Sequence, residues 1–312
     1  MVTLPAATHL LASDLTTGDK GQRAAGRLGD SLGSRLARAS RLPIDPTELA
    51  KHEGIDVAQV LSLPEAGRIE WVGDELRILV RKTDSSQRQR FTVAHELAHH
   101  LIFGVEKVAR RAYSTEEEAR CDRFAAGLLM PRKSFKDARS ALRSVALPEA
   151  ILSLQEQFDV SLRSAMRRLD ELKLIDGHLL LLLFHREDRG EYRVVGAVYD
   201  RRAYWRIEGM TARSLGMSEV IGSLISMPQG SRRLRASAQL PARIRGQAAG
   251  SPSTVHGDVT CAPLGGEWGA APDWILIDID PVAPPLGGRL QRRSRPLQAE
   301  FLTKGHRPRQ FG

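Results

Sequence analysis

Cysteine is nearly missing from this chain: Cys121 and Cys261 are the only two in 312 residues, and neither stands in a CxxC spacing. Two cysteines in different segments make no disulfide framework and no cysteine-built zinc module. Both are read as reduced packing residues, so a metal, if there is one, falls to histidine and carboxylate. Long apolar runs are also absent. No stretch reaches eighteen residues, and the N-terminus lacks the charged n-region and long h-region of a secretion signal, so a cytoplasmic protein with no membrane partner is expected. Lysine is scarce, at eight of the 46 basic residues. A net charge of +9 and a pI of about 10.0 raise the question of nucleic acid, but a bias from GC-rich codons explains the arginine excess as well as selection for phosphate binding would. What is present, 42% hydrophobic and 27% charged residues, is enough for two or three small domains with real cores.

The most informative stretch is Phe91 to His100, FTVAHELAHH, which holds His95, Glu96 and His99 in an HExxH arrangement. On a helix, residues four apart share a face, so His95 and His99 can aim imidazole nitrogens at one ion, with Glu96 beside it but not ligating it. Zinc held in this way lowers the pKa of a water from about 16 to about 7, and a neighbouring carboxylate can take that proton and pass it to a leaving amine. That combination hydrolyses peptide bonds. Phe91, Val93, Ala94, Leu97, Ala98 and Leu101 are apolar or small, so the polar trio is embedded in a buried helix, and burying two histidines and a glutamate needs a reason. Histidines that merely hydrogen-bond in a core are the bland alternative.

A third ligand is available in Thr115 to Pro131, TEEEARCDRFAAGLLMP. Glu118 and Asp122 share one helix face there, while Phe124, Ala125, Leu128 and Leu129 form the apolar side and Pro131 ends the helix. Two histidines on one helix and a glutamate on the next, with a fourth position left for water, make an open catalytic zinc set. Glu116 and Glu117 are alternatives in principle. A run of acidic residues is also what a solvated helix start favours.

The run RQRFTVAHELAHH, followed by E-x-x-x-D-x-F-A-A-x-L-L-M-P, resembles the ImmA/IrrE family of bacterial metallopeptidases over roughly residues 45 to 175. The resemblance implies one zinc ion on His95, His99 and Glu118, with Glu96 as catalytic base. It also implies a protein substrate, a helix-turn-helix transcriptional repressor whose cleavage releases stress or mobile-element genes. The chain departs from the family at Asp122, where asparagine is common. A carboxylate at that point can accept a histidine N–H and hold the ring orientation from outside the ligand set; a plain surface salt bridge is the alternative.

In chain order, residues 1–40 are rich in Gly, Ala, Ser, Thr and Arg and read as a flexible segment with at most a short helix over 27–39. Asp45 caps a helix that starts at Pro46, runs through Lys51 and ends near Gly54. Ile69 and Trp71, then Leu76, Ile78 and Val80, alternate about a Gly73-Asp74 turn as a β-hairpin, against which the active-site helix is expected to lie. Its edge either pairs with an extended substrate or is simply a supporting sheet. Residues 147–175 read as a helix to Phe158, a tight Asp159-Val160 turn and a second helix capped by Ser161. Ile151, Leu154, Phe158, Val160, Ala165, Leu169 and Leu172 pack inward. Arg163, Arg167 and Arg168 then either face DNA phosphates or decorate a structural helical hairpin. Past Gly177, strands are expected at 179–184, 192–199, 204–207 and 274–279; some ImmA/IrrE members carry a sensor-like domain at this point. The Pro/Gly/Arg-rich tail reads as disordered.

The expected fold is α+β. A zincin-like metallopeptidase domain over 41–142, with a helical active-site core and a small β-sheet, is followed by a helix-turn-helix-like segment over 143–176. A C-terminal α/β domain over 177–280 and a basic tail over 281–312 complete the chain. Two function classes follow: a regulatory zinc endopeptidase acting on a repressor, and a non-proteolytic regulator that binds DNA or protein around a structural zinc. Glu96 separates them, because a purely structural site has no use for a carboxylate between its ligands.

Overall fold

Capping and turn chemistry set most of the element boundaries in the computed structural model, which describes residues 18–105, 113–175, 179–186, 191–199, 234–242, 253–264, 274–281 and 300–301. The chain divides into two compact units, one of residues 1–145 and 150–168, the other of residues 146–149 and 169–312. The helix pair expected as a segment of its own therefore falls mostly within the first unit.

That unit opens with helix α1 (Asp19–Ser40). Its 22 residues overturn the expectation of a flexible segment for the part of 1–40 that is described. The stabilising force is tertiary: α1 lies backbone to backbone on helix α4 (Thr115–Leu129). A Cβ on Gly29 would run into the Phe124 carbonyl, and one on Gly33 into the Leu128 carbonyl. Glycine costs a helix about 1 kcal/mol relative to alanine, and here the absence of a side chain is what lets the two backbones meet. Asp30 adds a polar tie, accepting from the Arg132 N–H at 2.8 Å and from the Arg168 guanidinium.

Helix α2 (Pro46–His52) starts as anticipated, with the Asp45 carboxylate accepting from the Thr47 N–H at 2.9 Å. A three-stranded sheet follows, in the order β1 (Asp56–Val60), β3 (Glu75–Arg81), β2 (Gly67–Val72). β2 and β3 form the expected antiparallel hairpin, with Ile69 opposite Ile78 and Gly73 at φ 65 in the turn. β1, which sequence reading had not assigned, joins β3 in parallel. Leu76, Ile78 and Val80 of β3 are buried, consistent with a central strand that sends alternate side chains into the core.

Helix α3 (Ser86–Ala98) packs on β2 and β3. It passes into one π-helical turn, His99–Phe103, a feature that is often found at functional sites. In α4 the Ser114 hydroxyl accepts from the Glu117 N–H while the Glu117 carboxylate accepts from the Ser114 N–H, a reciprocal capping box. Pro131 leads into α5 (Arg132–Ala141), and α6 (Leu147–Phe158) and α7 (Leu162–Glu171) come after it. Phe124, Leu128, Leu129, Phe135, Ile151, Leu154 and Phe158 are fully buried, each side chain contributing about 2 kcal/mol of burial.

In the second unit the described residues form a six-stranded sheet in the order β5-β4-β8-β7-β6-β9. The strands are β4 (Leu179–Arg186), β5 (Glu191–Tyr199), β6 (Leu234–Ala242), β7 (Ser253–Leu264), β8 (Trp274–Pro281) and β9 (Glu300–Phe301), and every pairing is antiparallel. Strands were expected at three of these places, β4, β5 and β8. Between residues 179 and 301 the described residues include no helix, so the α part of the expected α/β domain is not seen among them. The strand expected at 204–207 and nearly all of the tail lie outside the described residues.

Candidate metal centre

His95 lies in the last turn of α3 and His99 opens the π-helical turn after it, and both face α4, which presents Glu118 and Asp122 one turn apart. The His95 Nε2 lies 3.0 Å from Glu118 Oε2 and 3.2 Å from the His99 Nε2, and the His99 Nε2 lies 3.6 Å from Glu118 Oε1. Tetrahedral zinc with bonds of 2.0–2.1 Å holds adjacent N and O donors about 3.3 Å apart, so these three groups are spaced to share one ion.

The outer nitrogens of the two rings face different partners. The His95 Nδ1 donates to Asp122 Oδ1 at 3.0 Å. A carboxylate can only accept, so Nδ1 carries a proton, and Nε2 is the nitrogen left to bind a metal once His95 gives up its second proton. The His99 Nδ1 faces the Cys121 thiol at 3.5 Å, and the Tyr113 ring lies against its face with centroids 4.0 Å apart. Neither Cys121 nor Tyr113 was expected here. The signal available for Cys121 was its place three residues after Glu118, on nearly the same helix face.

Two donor groupings therefore share the histidines. His95, His99 and Cys121 bring ligand atoms within 4.8 Å of one another, whereas His95, His99 and Glu118 converge within 3.6 Å. The second is tighter, and it uses the same nitrogen of His99 that faces His95. An ion held by that nitrogen would be held by His95, His99 and Glu118, since Cys121 stands at the opposite ring nitrogen of His99.

Electrostatics concentrate at the same place. Burial opposes charge on His95, but the hydrogen bonds to Asp122 and Glu118, with the Glu96 charge nearby, lift its pKa to about 9. The His95 imidazole in turn holds the Glu118 carboxyl below its usual range. Glu96 is only 8% exposed. Burial pushes its pKa up to about 7, against the opposing charge of His95, with Glu118 adding to the rise. The nearby backbone of Ile69 on β2 works against that rise. Burial likewise pushes up the Cys121 thiol, keeping it protonated.

Of the other anticipated residues, Glu116 and Glu117 turn away from the histidines: Glu116 pairs with Arg120 at 2.8 Å, and Glu117 closes the capping box. Arg163 and Arg167 are exposed on α7. Arg168 corrects the expectation of a phosphate-facing trio, because it is 1% exposed, donates to the Met130 carbonyl at 3.0 Å and pairs with Asp30. The Asp159 turn between α6 and α7 is bound to α3: Gln87 donates to Asp159 Oδ1 at 3.1 Å, and Arg90 pairs with Asp159 Oδ2 at 3.1 Å.

Residues 51–170 match the family model described as Peptidase_M78, IrrE N-terminal-like domain. This part of the chain belongs to the ImmA/IrrE metallopeptidase family. The matched segment contains α3, the π-helical turn, α4, α6 and all but the last residue of α7; α1 precedes it. The chain is also similar to a solved structure titled "Mycobacterium tuberculosis transcriptional regulator", at 17% identity with a TM-score of 0.46, over 86% of this chain and 79% of that chain. No curated protein matches it. No helix among the described residues is long and apolar enough to cross a membrane.

Proposed function

We propose that the chain is a regulatory zinc endopeptidase in which His95, His99 and Glu118 hold the ion, Glu96 is the general base, and Asp122 orients His95. The observation that carries the reading is the convergence of the two Nε2 atoms and the Glu118 carboxylate within 3.6 Å, with Glu96 buried one residue from the first histidine. Zinc in that position would supply Lewis acidity, polarising a peptide carbonyl and making water a nucleophile at neutral pH. The protein's own groups do the rest. Asp122 holds the His95 ring by its Nδ1–H, Tyr113 covers the His99 face, and the Glu96 carboxylate takes a proton and returns it to the departing amine.

The substrate fitting this arrangement is a segment of another protein that is extended enough to lie along the edge of β2. Strand addition of this kind gives affinity through main-chain hydrogen bonds and leaves side-chain pockets to set selectivity. The family membership points to a helix-turn-helix repressor as that protein, cleaved to release the genes it silences. The test is co-expression with a small repressor taken from a neighbouring reading frame, following intact and cut repressor on a gel. The parent is expected to cut it and Glu96→Gln to leave it whole with zinc and fold retained, since loss of a general base costs about a hundredfold to ten-thousandfold in rate. A Glu96→Gln protein that still releases the target genes as fully as the parent, with the repressor intact in both, overturns the peptidase reading.

A further inference from the structure

Helix α4 meets the two histidines in the same way twice. At His95, Glu118 stands 3.0 Å from Nε2 and Asp122 stands 3.0 Å from Nδ1. At His99, Glu118 stands 3.6 Å from Nε2 and the Cys121 Sγ stands 3.5 Å from Nδ1. Glu118, Cys121 and Asp122 are spaced i, i+3 and i+4, so one stripe of α4 reaches both nitrogens of both rings. The ligand set with Asp122 behind it gives a purpose to every member of that stripe except Cys121.

A neutral imidazole has one N–H and one lone pair. An ion shared by His95, His99 and Glu118 would take the lone pair of the His99 Nε2, which puts that ring's proton on Nδ1, aimed at the sulfur. The Tyr113 ring lies against the His99 face with centroids 4.0 Å apart. Such a stack fixes the plane of a ring but not which edge faces the ion, since a half-turn about Cβ–Cγ leaves the plane unchanged. The contact between Nδ1–H and sulfur decides the edge.

Burial explains why the acceptor is sulfur. His99 is 4% exposed and Cys121 is 0% exposed, whereas the Asp122 side chain is 50% exposed. A carboxylate at the Cys121 position would bury a further negative charge in a site that already holds those of Glu118 and Glu96, at a large desolvation cost. A thiol is a weak acceptor, but it satisfies the N–H and adds no charge.

We propose that Cys121 is a positioning residue for His99: its sulfur takes the Nδ1–H and holds the ring in the flip that turns Nε2 to the ion, the part that Asp122 plays for His95. The inference rests on the ligand set of the proposed function and needs nothing of the peptidase reaction.

The test uses the full-length protein loaded with Co2+ in place of zinc, with no substrate. The paramagnetic ion shifts the ring N–H protons of its histidine ligands out of the ordinary proton NMR range, where their exchange with water can be followed. Two such protons are expected in the parent, one from each histidine. Asp122→Ala is expected to speed the exchange of one, and Cys121→Ala that of the other by about tenfold, the loss of roughly one hydrogen bond. Cys121→Ser keeps an acceptor and is expected to fall between Cys121→Ala and the parent. Co2+ affinity is expected to fall about tenfold in Cys121→Ala, the low end for loss of a partner behind a ligating histidine. The proton held by Asp122 reports in each Cys121 variant that the centre has assembled. Both protons exchanging in Cys121→Ala as in the parent overturns the proposal, and so does a Cys121→Ser protein no slower than Cys121→Ala. Loss of both protons in Cys121→Ala overturns it too, since the thiol would then be general packing. A sulfur-to-cobalt charge-transfer band in the parent that Cys121→Ser abolishes would make the thiol a ligand and overturn it as well. A parent that takes up no cobalt overturns this inference together with the ligand set. The expected pattern in a protein that cuts no repressor would keep the positioning and remove the peptidase reading, so the two failures are distinguishable.

Discussion

Asp122 stands 3.0 Å from the Nδ1 of His95, on the far side of the ring from Glu118. The carboxylate fixes the tautomer, and through it the direction in which the Nε2 lone pair points. Removing such a partner typically costs about ten- to a hundredfold in metal affinity. Asp122→Ala is therefore expected to weaken zinc binding by that amount, and Asp122→Asn to lose less, since its amide oxygen can accept the same N–H. A competition titration against a coloured chelator measures both. Equal affinity in Asp122→Ala and the parent would make the contact a surface salt bridge with no bearing on the metal.

The competition between Glu118 and Cys121 for the third position gives a second prediction. Glu118 meets the inward nitrogens of both histidines, while Cys121 meets the outward nitrogen of His99. Glu118→Ala is expected to purify with less than about a tenth of the parent's zinc, and Cys121→Ala with close to a full ion, because a lost ligand costs far more than a lost neighbour. Elemental analysis of the two proteins decides the matter. The reverse pattern would give the third position to the thiol.

Two raised pKa values set a pH dependence for the metal-free protein. His95 rises to about 9 and Glu96 to about 7, so both hold protons more tightly in the folded protein than in the unfolded chain. Such groups stabilise fully below their unfolded values, and the contribution is lost as pH rises through about 7 for Glu96 and about 9 for His95. Metal-free protein is expected to lose on the order of 2 kcal/mol between about pH 6 and about pH 10. The zinc-loaded form, in which a ligating His95 has already given up its proton, is expected to change less. Thermal melts with and without chelator across that range provide the check, and metal-free stability that is flat or rising contradicts the assignment.

How much of this was visible beforehand follows from which interactions are local. His95, Glu96, His99, Glu118 and Asp122 declare themselves by four-residue spacing, and Asp45 and Ser161 by cap chemistry, all within one or two turns of chain. α1 does not, since Gly26, Gly29 and Gly33 read as breakers until the backbone of α4 is laid against them. β1 is a short strand of mixed polarity that gains its identity from its parallel partner β3. Cys121 reaches His99 from α4 with only its place three residues after Glu118 to announce it, and Tyr113 reaches the same ring from the chain just before α4, which no spacing rule supplies.

Arg168 is the sharpest of these cases and yields the last prediction. By spacing it belongs with Arg163 and Arg167, yet one residue further along a helix is a turn of about 100°, and that turn takes it inside. There it is 1% exposed and pairs with Asp30 on α1. Removing one partner of a buried ion pair strands the other charge and costs about 3–5 kcal/mol. Asp30→Ala is thus expected to lower the Tm by about 6–20 °C. Arg163→Ala with Arg167→Ala, both exposed, is expected to leave stability within about 0.5 kcal/mol. The same double variant, and not one that includes Arg168, is the right probe of DNA binding, because a triple variant would lose affinity through unfolding alone. Duplex DNA titrated across a salt series is expected to show no change of slope between the parent and the double variant. A steep parental slope that flattens by about two units of log salt would mean that two phosphate contacts had been removed, and α7 would then be a DNA-facing helix in spite of its buried arginine.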